Sequence, residues 1–248
     1  MKSIRDGFPF LIGVLLSACG GEGASTDEHG AVTQDPIING TSVAPATLGI
    51  VLLSNGCTGT LITNTKVLTA KHCVEEYQRN PNGGPPTTPP FLELRMGNEW
   101  MAATNIWLHP TPNVDAAVVW LSGAFLINGS RTGFRRDIAM ATADQLNNGA
   151  LIIDGYGYGT APTSGAGIAR RGLCSAKKRA NGLLSCFPAG NPATIQTWGD
   201  SGGPGSVYAS GLPVVYIQSG CFFDNGVPTE CYGNTSDTWL NWAWWYLL

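Results

Sequence analysis

Short apolar or alternating runs, separated by turn residues, dominate the chain from position 37 onward. Runs of about 4–8 residues bounded by Gly, Pro, Asn and Asp are typical of β-strands. The pattern predicts strands at Ile50–Leu53, Gly59–Thr63, Lys66–Thr69, Phe91–Met96, Ala116–Leu121, Ala150–Asp154, Leu183–Phe187 and Pro213–Gln218. Short strands at regular spacing favour an all-β sandwich or barrels.

The C-terminal tail is the one stretch with a helical pattern. Ser236 can cap a helix, and Trp239, Trp242 and Tyr246 then fall on one face with no Gly or Pro between them. We therefore expect the chain to end in a single helix that packs its aromatic face on the strands.

The first 18 residues have the pattern of an export signal. A short basic start precedes an apolar run at Phe8–Leu16, which is too short for the ~20 apolar residues of a membrane span and is typical of a signal peptide. The sequence LSAC at Leu16–Cys19 resembles the lipobox of bacterial lipoproteins, in which the cysteine becomes the lipidated first residue. We expect 1–18 to be removed and Cys19 to be a lipid tether to the cell envelope. Simple secretion without lipidation is the alternative.

Residues 19–36 are Gly-rich and acidic and lack hydrophobic periodicity, so they predict a tether or pro-segment. Residues 1–36 hold two basic and five acidic side chains, which leaves twelve of each sign in 37–248. Charged residues make up 12% of the chain, against about 25% in an average soluble domain. With a pI near 5.5, the composition excludes the basic footprint of a nucleic-acid-binding protein.

Seven cysteines occur, and six remain when Cys19 is set aside. An even number in an exported chain predicts three disulfides in an oxidising compartment. Six cysteines can pair in many ways, and local pairing is one of them. It would join Cys57 to Cys73, Cys174 to Cys186 and Cys221 to Cys231. The absence of a Cys-x-x-Cys motif argues against zinc and thioredoxin chemistry, and we expect no metal or other cofactor.

One Gly-rich motif surrounds a serine, in the sequence GDSGGP at Gly199–Pro204. Glycines beside a serine let the backbone turn sharply and approach a substrate, and they leave N–H groups free to bind an oxyanion. A plain Gly-rich turn with a solvated serine is the alternative. A serine hydroxyl is a weak nucleophile that needs a neighbouring base, so the interpretation depends on a suitable histidine.

His72 is the best candidate base among three histidines. It follows a predicted strand and precedes Cys73, which can anchor the backbone that carries the imidazole. Asp115 starts an apolar run and is the best candidate for the acid that orients the imidazole. Three further aspartates are weaker candidates, at Asp137, Asp144 and Asp154.

The order of these residues along the chain separates the known classes of serine hydrolase. No histidine follows Ser201, so the order of the α/β-hydrolases is excluded. Every aspartate before His72 lies in 1–36, which excludes the subtilisin order. The order His72, Asp115, Ser201 is that of the chymotrypsin triad.

The chain from position 37 onward therefore resembles the trypsin/chymotrypsin family of serine proteases. The IING sequence at Ile37–Gly40 is similar to the family's mature amino terminus, and TAKHC at Thr69–Cys73 to its histidine motif. Asp115 and Gly199–Pro204 match its aspartate and serine motifs. The resemblance implies a protease domain at 37–248, built from two packed antiparallel β-barrels with the active site between them and a closing C-terminal helix.

The resemblance also implies roles for single residues. Ser201 would attack the scissile carbonyl, His72 would take its proton and return it to the leaving amine, and Asp115 would orient His72. The N–H groups of Gly199 and Ser201 would bind the oxyanion. Two of the local disulfides, Cys57–Cys73 and Cys174–Cys186, match family bridges, and Cys221–Cys231 would be a local substitute for a missing one.

Activation in the family frees the amine of the first mature residue to pair with the aspartate before the serine. Here the pair would be Ile37 and Asp200. Pro36 is not basic, so cleavage of the bond before Ile37 by a trypsin-like protease is not expected. Lys71 replaces a small residue of the family motif, and we expect its charge to lower the pKa of His72.

The specificity of the site follows from two further positions. Ile195 lies six residues before Ser201, where the family places the floor of its primary pocket, and we assign Ser219 to the same pocket. An apolar floor predicts preference for an apolar or small side chain before the scissile bond rather than Lys or Arg. We therefore expect a secreted or membrane-tethered, monomeric serine endopeptidase that acts on proteins or peptides. The alternative is an inactive protease-like fold that serves in binding or adhesion.

Overall fold

The computed structural model describes residues 37–77, 91–157, 168–179, 183–207 and 212–247. The signal peptide, the tether and Cys19 lie outside the described residues. The described chain folds into two six-stranded antiparallel β-barrels followed by a C-terminal helix. The predicted all-β, two-barrel architecture is therefore confirmed.

The first barrel occupies the N-terminal half of the described chain. A two-residue strand, β1 (Thr41–Ser42), and a short helix, α1 (Pro45–Leu48), precede it. The barrel consists of β2 (Ile50–Leu53), β3 (Thr58–Thr63), β4 (Lys66–Thr69), β5 (Glu93–Met96), β6 (Glu99–Leu108) and β7 (Ala117–Leu121). It closes in the order β2-β3-β4-β7-β6-β5.

Strand β2 shows how the first barrel meets the second. All four of its residues are buried, although a strand on a solvated barrel would bury only alternate positions. Val51 and Leu53 fill the first barrel, whereas Ile50 and Leu52 face outward and pack with Tyr156, which follows a strand of the second barrel. Alternate residues of β2 thus belong to two apolar clusters, the core of the first barrel and the contact with Tyr156.

The second barrel begins after a short helix, α2 (Ala143–Asn148). Its strands are β8 (Ala150–Gly155), β9 (Arg170–Lys178), β10 (Leu183–Pro188), β11 (Pro204–Val207), β12 (Val214–Asp224) and β13 (Val227–Thr235). They follow the order β9-β10-β13-β12-β11-β8, and pairing of β8 with β9 closes the barrel. Strand β1 adds to β9 at its outer edge.

Three disulfides join the described cysteines in the pattern of local pairing. Cys57–Cys73 ties the residue before β3 to the 3-10 turn after β4. Cys174–Cys186 joins β9 to β10 within the buried core of the second barrel. Cys221–Cys231 links directly opposed positions of β12 and β13.

The last element is α3 (Ser236–Leu247), as predicted. Its buried residues Trp239, Leu240, Ala243 and Leu247 belong to the same core cluster as the first barrel. Trp239 is fully buried, so the helix from the end of the second barrel packs back onto the first. In the described part of the chain, neither this helix nor the shorter ones have the length and apolar character needed to cross a membrane.

Candidate active site

A cavity of about 550 Å³ opens between residues of the two barrels. It contains the three predicted reactive side chains, His72, Asp115 and Ser201. The other lining residues are Asn55, Gly56, Cys57, Thr197, Trp198, Gly199, Ser219, Gly220, Cys221, Phe223 and Tyr232.

The imidazole and the carboxylate of the site are directly bonded. His72 lies in the 3-10 turn Lys71–Cys73, and its Nδ1 is 2.7 Å from Oδ2 of Asp115. The backbone N–H of His72 donates to Oδ1 of the same carboxylate at 2.9 Å. The N–H of Asp115 in turn donates to Oδ1 of the buried Asn234 at 3.0 Å. Two carboxylate oxygens therefore fix both the backbone and the ring of His72.

This contact changes the pKa of both groups. The hydrogen bond to Asp115 raises the pKa of His72 above its ordinary value, against a smaller opposing effect of burial. Burial alone would raise the pKa of Asp115, but the hydrogen bonds and charge of His72, with the nearby hydroxyl of Ser219, hold it below its ordinary value. The pair therefore favours a carboxylate beside an imidazole that readily takes up a proton.

The expectation that Lys71 lowers the pKa of His72 was wrong. Its ammonium donates to the backbone carbonyl of His109 at 3.1 Å, and its charge lowers the pKa of the His109 side chain, together with the larger effect of burial. The charge of Lys71 thus acts on the other described histidine, His109, whose backbone carbonyl accepts its ammonium.

Ser201 reaches the cavity with its hydroxyl bound to another group. Its Oγ donates to the backbone carbonyl of Ser219 at 2.8 Å. On the other side, Nε2 of His72 is 3.5 Å from Sγ of Cys73. The structure thus brings the three side chains into one cavity and bonds His72 to Asp115, while the serine hydroxyl is held by a neighbouring strand.

The segment around Ser201 requires glycine at two turns. Gly199 and Gly202 have φ of +85° and +83°, a region that L-residues with side chains rarely adopt. A Cβ on Gly202 would lie 2.1 Å from Oγ1 of Thr69 and 2.2 Å from the carbonyl oxygen of Thr58. The glycines of the motif thus let the segment approach the first barrel.

Thr58 holds this segment from the first barrel, and sequence reasoning missed it. Its N–H donates to the carbonyl of Ser201 at 2.8 Å, and its Oγ1 donates to the carbonyl of Gly199 at 2.8 Å. The same hydroxyl accepts the N–H of Tyr156 at 2.9 Å. Thr58 is fully buried, so one residue anchors the carbonyls on both sides of the Asp200–Ser201 peptide.

Asp200 is buried beneath the segment and is bound by backbone donors. Its carboxylate accepts the N–H groups of Thr197 at 2.8 Å, Gly157 at 2.9 Å and Ile37 at 3.2 Å. Burial raises the pKa of Asp200 to about 6, against the lowering effect of these hydrogen bonds. A Cβ on Gly155 would lie 2.0 Å from Oδ1, so the glycine at this position leaves the space that the carboxylate of Asp200 occupies.

The two residues assigned to the specificity pocket have different surroundings. Ser219 lines the cavity. Ile195 is 3% exposed, bridges to Ile38 and packs in the core of the second barrel. It is not among the residues that line the cavity. The spacing of Ile195 from Ser201 in the sequence alone did not reveal which groups separate Ile195 from the cavity.

The weaker acid candidates lie elsewhere. Asp154 is fully buried and binds the guanidinium of Arg171 through both oxygens, at 2.7 and 3.0 Å. The buried Arg136 approaches it at 3.5 Å. Asp137 and Asp144 are exposed and do not line the cavity. Asp115 is therefore the acid that reaches His72 among the described residues.

One group of donor atoms in the described residues has the compactness of a metal site. Ligand atoms of Cys57, His72 and Cys73 lie within 4.8 Å of one another. Both sulfurs belong to the Cys57–Cys73 disulfide, and metal binding by cysteine needs a thiolate. This group therefore does not offer a metal site while the bridge is intact.

Comparison with known proteins agrees with this geometry. The sequence model of the trypsin family matches residues 37–219. The chain belongs to the trypsin family. Members of the trypsin family are serine endopeptidases, and the chain is a hydrolase of this class. The matched residues include the described positions of His72, Asp115 and Ser201 and end at Ser219.

A solved structure supports the trypsin-family fold. Neuropsin, a serine protease expressed in the limbic system of mouse brain, superimposes with a TM-score of 0.62 and 16% sequence identity. The match covers 84% of this chain and 99% of the neuropsin chain. A search of curated protein sequences finds no significant match.

Proposed function

We propose that this trypsin-family chain cleaves peptide bonds with Ser201 as nucleophile, His72 as general base and acid, and Asp115 as the group that orients His72. The 2.7 Å contact of His72 with Asp115, in the cavity that also holds Ser201, carries the proposal. Rotation about χ1 moves a serine hydroxyl between staggered positions. Such a rotation would release Oγ from Ser219 and turn it toward His72.

The reaction then follows from the charges of the site. Neutral His72 takes the proton of Ser201 as Oγ attacks the carbonyl carbon, and it returns that proton to the leaving amine. The carboxylate of Asp115 stabilises the imidazolium that forms between these steps. Among the described residues, no acceptor binds the N–H of Gly199 or of Ser201, which supports their role as donors to the oxyanion.

Activation through Ile37 and Asp200 is part of the same proposal. Their 3.2 Å contact forms here through the backbone N–H of Ile37. Cleavage before Ile37 would convert this N–H into an ammonium beside a buried carboxylate. An ammonium would lower the pKa of Asp200 and strengthen its hold on the segment that precedes Ser201.

Charge supports a non-basic specificity. Among the residues that the structure describes, Asp115 is the only acidic one that lines the cavity, and His72 already occupies its carboxylate. A Lys or Arg side chain would therefore enter without a counter-ion, at the cost of its desolvation. We propose that substrates present an uncharged side chain before the scissile bond.

We also propose that the protein is exported, acts as a monomer and is tethered through a lipid on Cys19. Three disulfides support an oxidising compartment. Mass spectrometry of the membrane fraction tests the tether, because an acylated N-terminal Cys19 has a mass that simple secretion does not give. An N-terminus without acyl chains would contradict it.

A fluorophosphonate tests the catalytic proposal. Ser201 Oγ would displace fluoride from phosphorus, so the wild-type protein becomes labelled and loses peptidase activity, and Ser201→Ala does neither. Ser206→Ala is the matched control, since this serine is fully buried and does not line the cavity. Peptide cleavage that survives in Ser201→Ala would contradict the proposal. A folded wild-type protein that neither reacts nor cleaves would favour the alternative of an inactive binding module.

A further inference from the structure

The cavity extends beyond Ser201 into a slot between two segments of the second barrel. One wall is Thr197–Gly199, which leads to the nucleophile. The other wall is formed by the half-buried residues Ser219–Cys221 and Phe223 of β12. We assign the side chain next to the carbonyl that Ser201 attacks to this slot, because both walls adjoin the serine: Gly199 lies two residues before it, and the carbonyl of Ser219 accepts its hydroxyl.

A disulfide closes the inner end of the slot. Cys221 lines the cavity, and its partner Cys231 is fully buried. Their sulfurs lie 3.6 and 3.4 Å from the carbonyl oxygen of Gln196, the residue that precedes the opposite wall. The sulfur pair thus spans the gap from β12 to the other segment.

An aromatic pair bridges the same two walls at the solvent side. The rings of Trp198 and Phe223 are 5.0 Å apart between centroids and inclined by only 8°. Trp198 is 63% exposed, so this stack is the outer boundary of the slot. Stacked aromatic rings attract each other beyond the burial of their surface, and a side chain that passed between them would have to separate them.

We propose that the Cys221–Cys231 disulfide and the Trp198–Phe223 stack restrict the residue before the scissile bond to Gly, Ala or Ser. The inference rests on the proposed function, since it presumes attack by Ser201 on a peptide carbonyl. A Leu or Phe side chain meets sulfur at the inner end and stacked rings at the outer end. A small side chain fits between them and leaves both bridges intact.

A set of variants with peptide substrates that differ only at this residue tests the proposal. The wild type cleaves after Ala at least tenfold more efficiently, by kcat/KM, than after Leu or Phe. In Cys221→Ala/Cys231→Ala the sulfurs are gone, and the Leu/Ala ratio of kcat/KM rises at least tenfold. Cys221→Val/Cys231→Val removes the bond and restores bulk, so the ratio stays near that of the wild type.

A second pair of variants tests the outer boundary. Trp198→Ala removes the stack from an exposed position and raises the Phe/Ala ratio. Trp100→Ala is the matched control, because this indole is also exposed, lies in β6 of the first barrel and does not line the cavity. It leaves the ratio unchanged.

Fluorophosphonate labelling separates the two possible failures. Without labelling of the wild type, the proposed function fails first. With labelling, a wild type that cleaves after Leu or Phe as readily as after Ala overturns the size limit. So does a labelled Cys221→Ala/Cys231→Ala variant with an unchanged ratio. If Cys221→Ala/Cys231→Ala is not labelled, the test rests on Trp198→Ala. A Phe/Ala ratio of kcat/KM within twofold of the wild-type ratio then overturns the proposal.

Discussion

The two barrels bring their parts of the site to the cavity in different ways. The first barrel presents His72 already bonded to Asp115 through two short contacts. The second presents Ser201 on a segment held by Thr58 of the first barrel and, through the buried carboxylate of Asp200, by the backbone N–H groups of Gly157 and Ile37. His72, the proposed base, thus depends on direct bonds to one neighbouring carboxylate, that of Asp115. Ser201, the proposed nucleophile, depends on groups that are distant in sequence.

The largest expected effect breaks the first-barrel half of this comparison. Asp115→Asn keeps the shape but removes the charge that stabilises imidazolium and selects the tautomer of His72. In the triad that serves as the template for this order, such a change lowers kcat about 10⁴-fold. We expect a loss of that order, measured as kcat on a peptide substrate, with the acid limb of the pH profile moved to lower pH.

Asp137→Asn is the matched control, because this aspartate is exposed and lies away from the cavity. Equal activities of the two variants would show that the carboxylate beside His72 plays no part in catalysis.

Asp200→Asn tests the segment that carries Ser201. The variant is made in the chain whose Pro36–Ile37 bond is intact. Burial raises the pKa of Asp200 from 3.8 to about 6 in the folded chain. The folded state therefore binds more protons than the unfolded state between these pH values, and stability falls as the pH rises through this window. The free energy of unfolding falls by at most about 3 kcal/mol across this window. Asp200→Asn has no carboxyl to titrate and does not show this fall.

Urea unfolding of both proteins at pH 4, 5, 6 and 7 measures this difference. Asp224→Asn, at the exposed end of β12, keeps the slope of the wild type. Cleavage before Ile37 sharpens the test, since its new ammonium lowers the pKa of Asp200 and abolishes the slope. Parallel stability curves for wild type and Asp200→Asn would contradict the assignment.

Thr58→Val tests the anchor that joins the two halves. Valine keeps the shape but loses the hydroxyl that donates to Gly199 and accepts from Tyr156. A neutral hydrogen bond contributes about 1 kcal/mol, and 1.4 kcal/mol corresponds to a tenfold change in rate. We expect kcat to fall on the order of tenfold with KM little changed, because the bond positions the oxyanion donors and not the substrate.

Thr58→Ser restores the hydroxyl and should recover most of the lost rate. A serine variant as slow as the valine variant, or a change confined to KM, would show that Thr58 does not act through this hydrogen bond.

Thr58 also marks the limit of what could be predicted from the sequence. Local motifs were sufficient to select His72 and Ser201, which the structure brings into one cavity, because distinctive residues stand beside each of them in the sequence. Nothing in the sequence around Thr58 points to Gly199, which lies 141 positions away. Such a contact follows from the approach of the two barrels, and a single sequence does not display it.

The strands show the same division. The bounds of β2 and β4 agree with prediction, because each is an unbroken apolar or alternating run between turn residues. Strands β1, β6, β9, β11 and β13 were missed, and in β13 Pro228 and Gly233 interrupt the pattern. Pro228 and Gly233 both pair with residues of β12, next to the two points where the register of β12 with β13 shifts. The position of Ile195 did not indicate the slot for a related reason. The inner end of the slot is formed by Cys221 and Cys231, which meet only once β12 and β13 have paired.

The smallest expected effect concerns the charge around the base. The carboxylate of Glu75 adds to the raised pKa of His72, after the larger contribution of Asp115. Glu75→Gln removes that negative charge, so the pKa of His72 falls. Since neutral His72 is the proposed base, we expect the acid limb of kcat/KM to move to lower pH, with the variant more active than the wild type at pH values below that limb. The shift is smaller than that of Asp115→Asn.

Glu76→Gln is the matched control for this prediction, because its charge acts on the pKa of Tyr77 and not on that of His72. The effect of Glu75 crosses solvent and should weaken as salt shortens the Debye length from about 10 Å at 0.1 M to about 3 Å at 1 M. The bonded contact of His72 with Asp115 is screened far less. A Glu75→Gln shift that persists at 1 M salt, or that Glu76→Gln reproduces, would mean that the variant alters the catalytic turn and not its electrostatic surroundings.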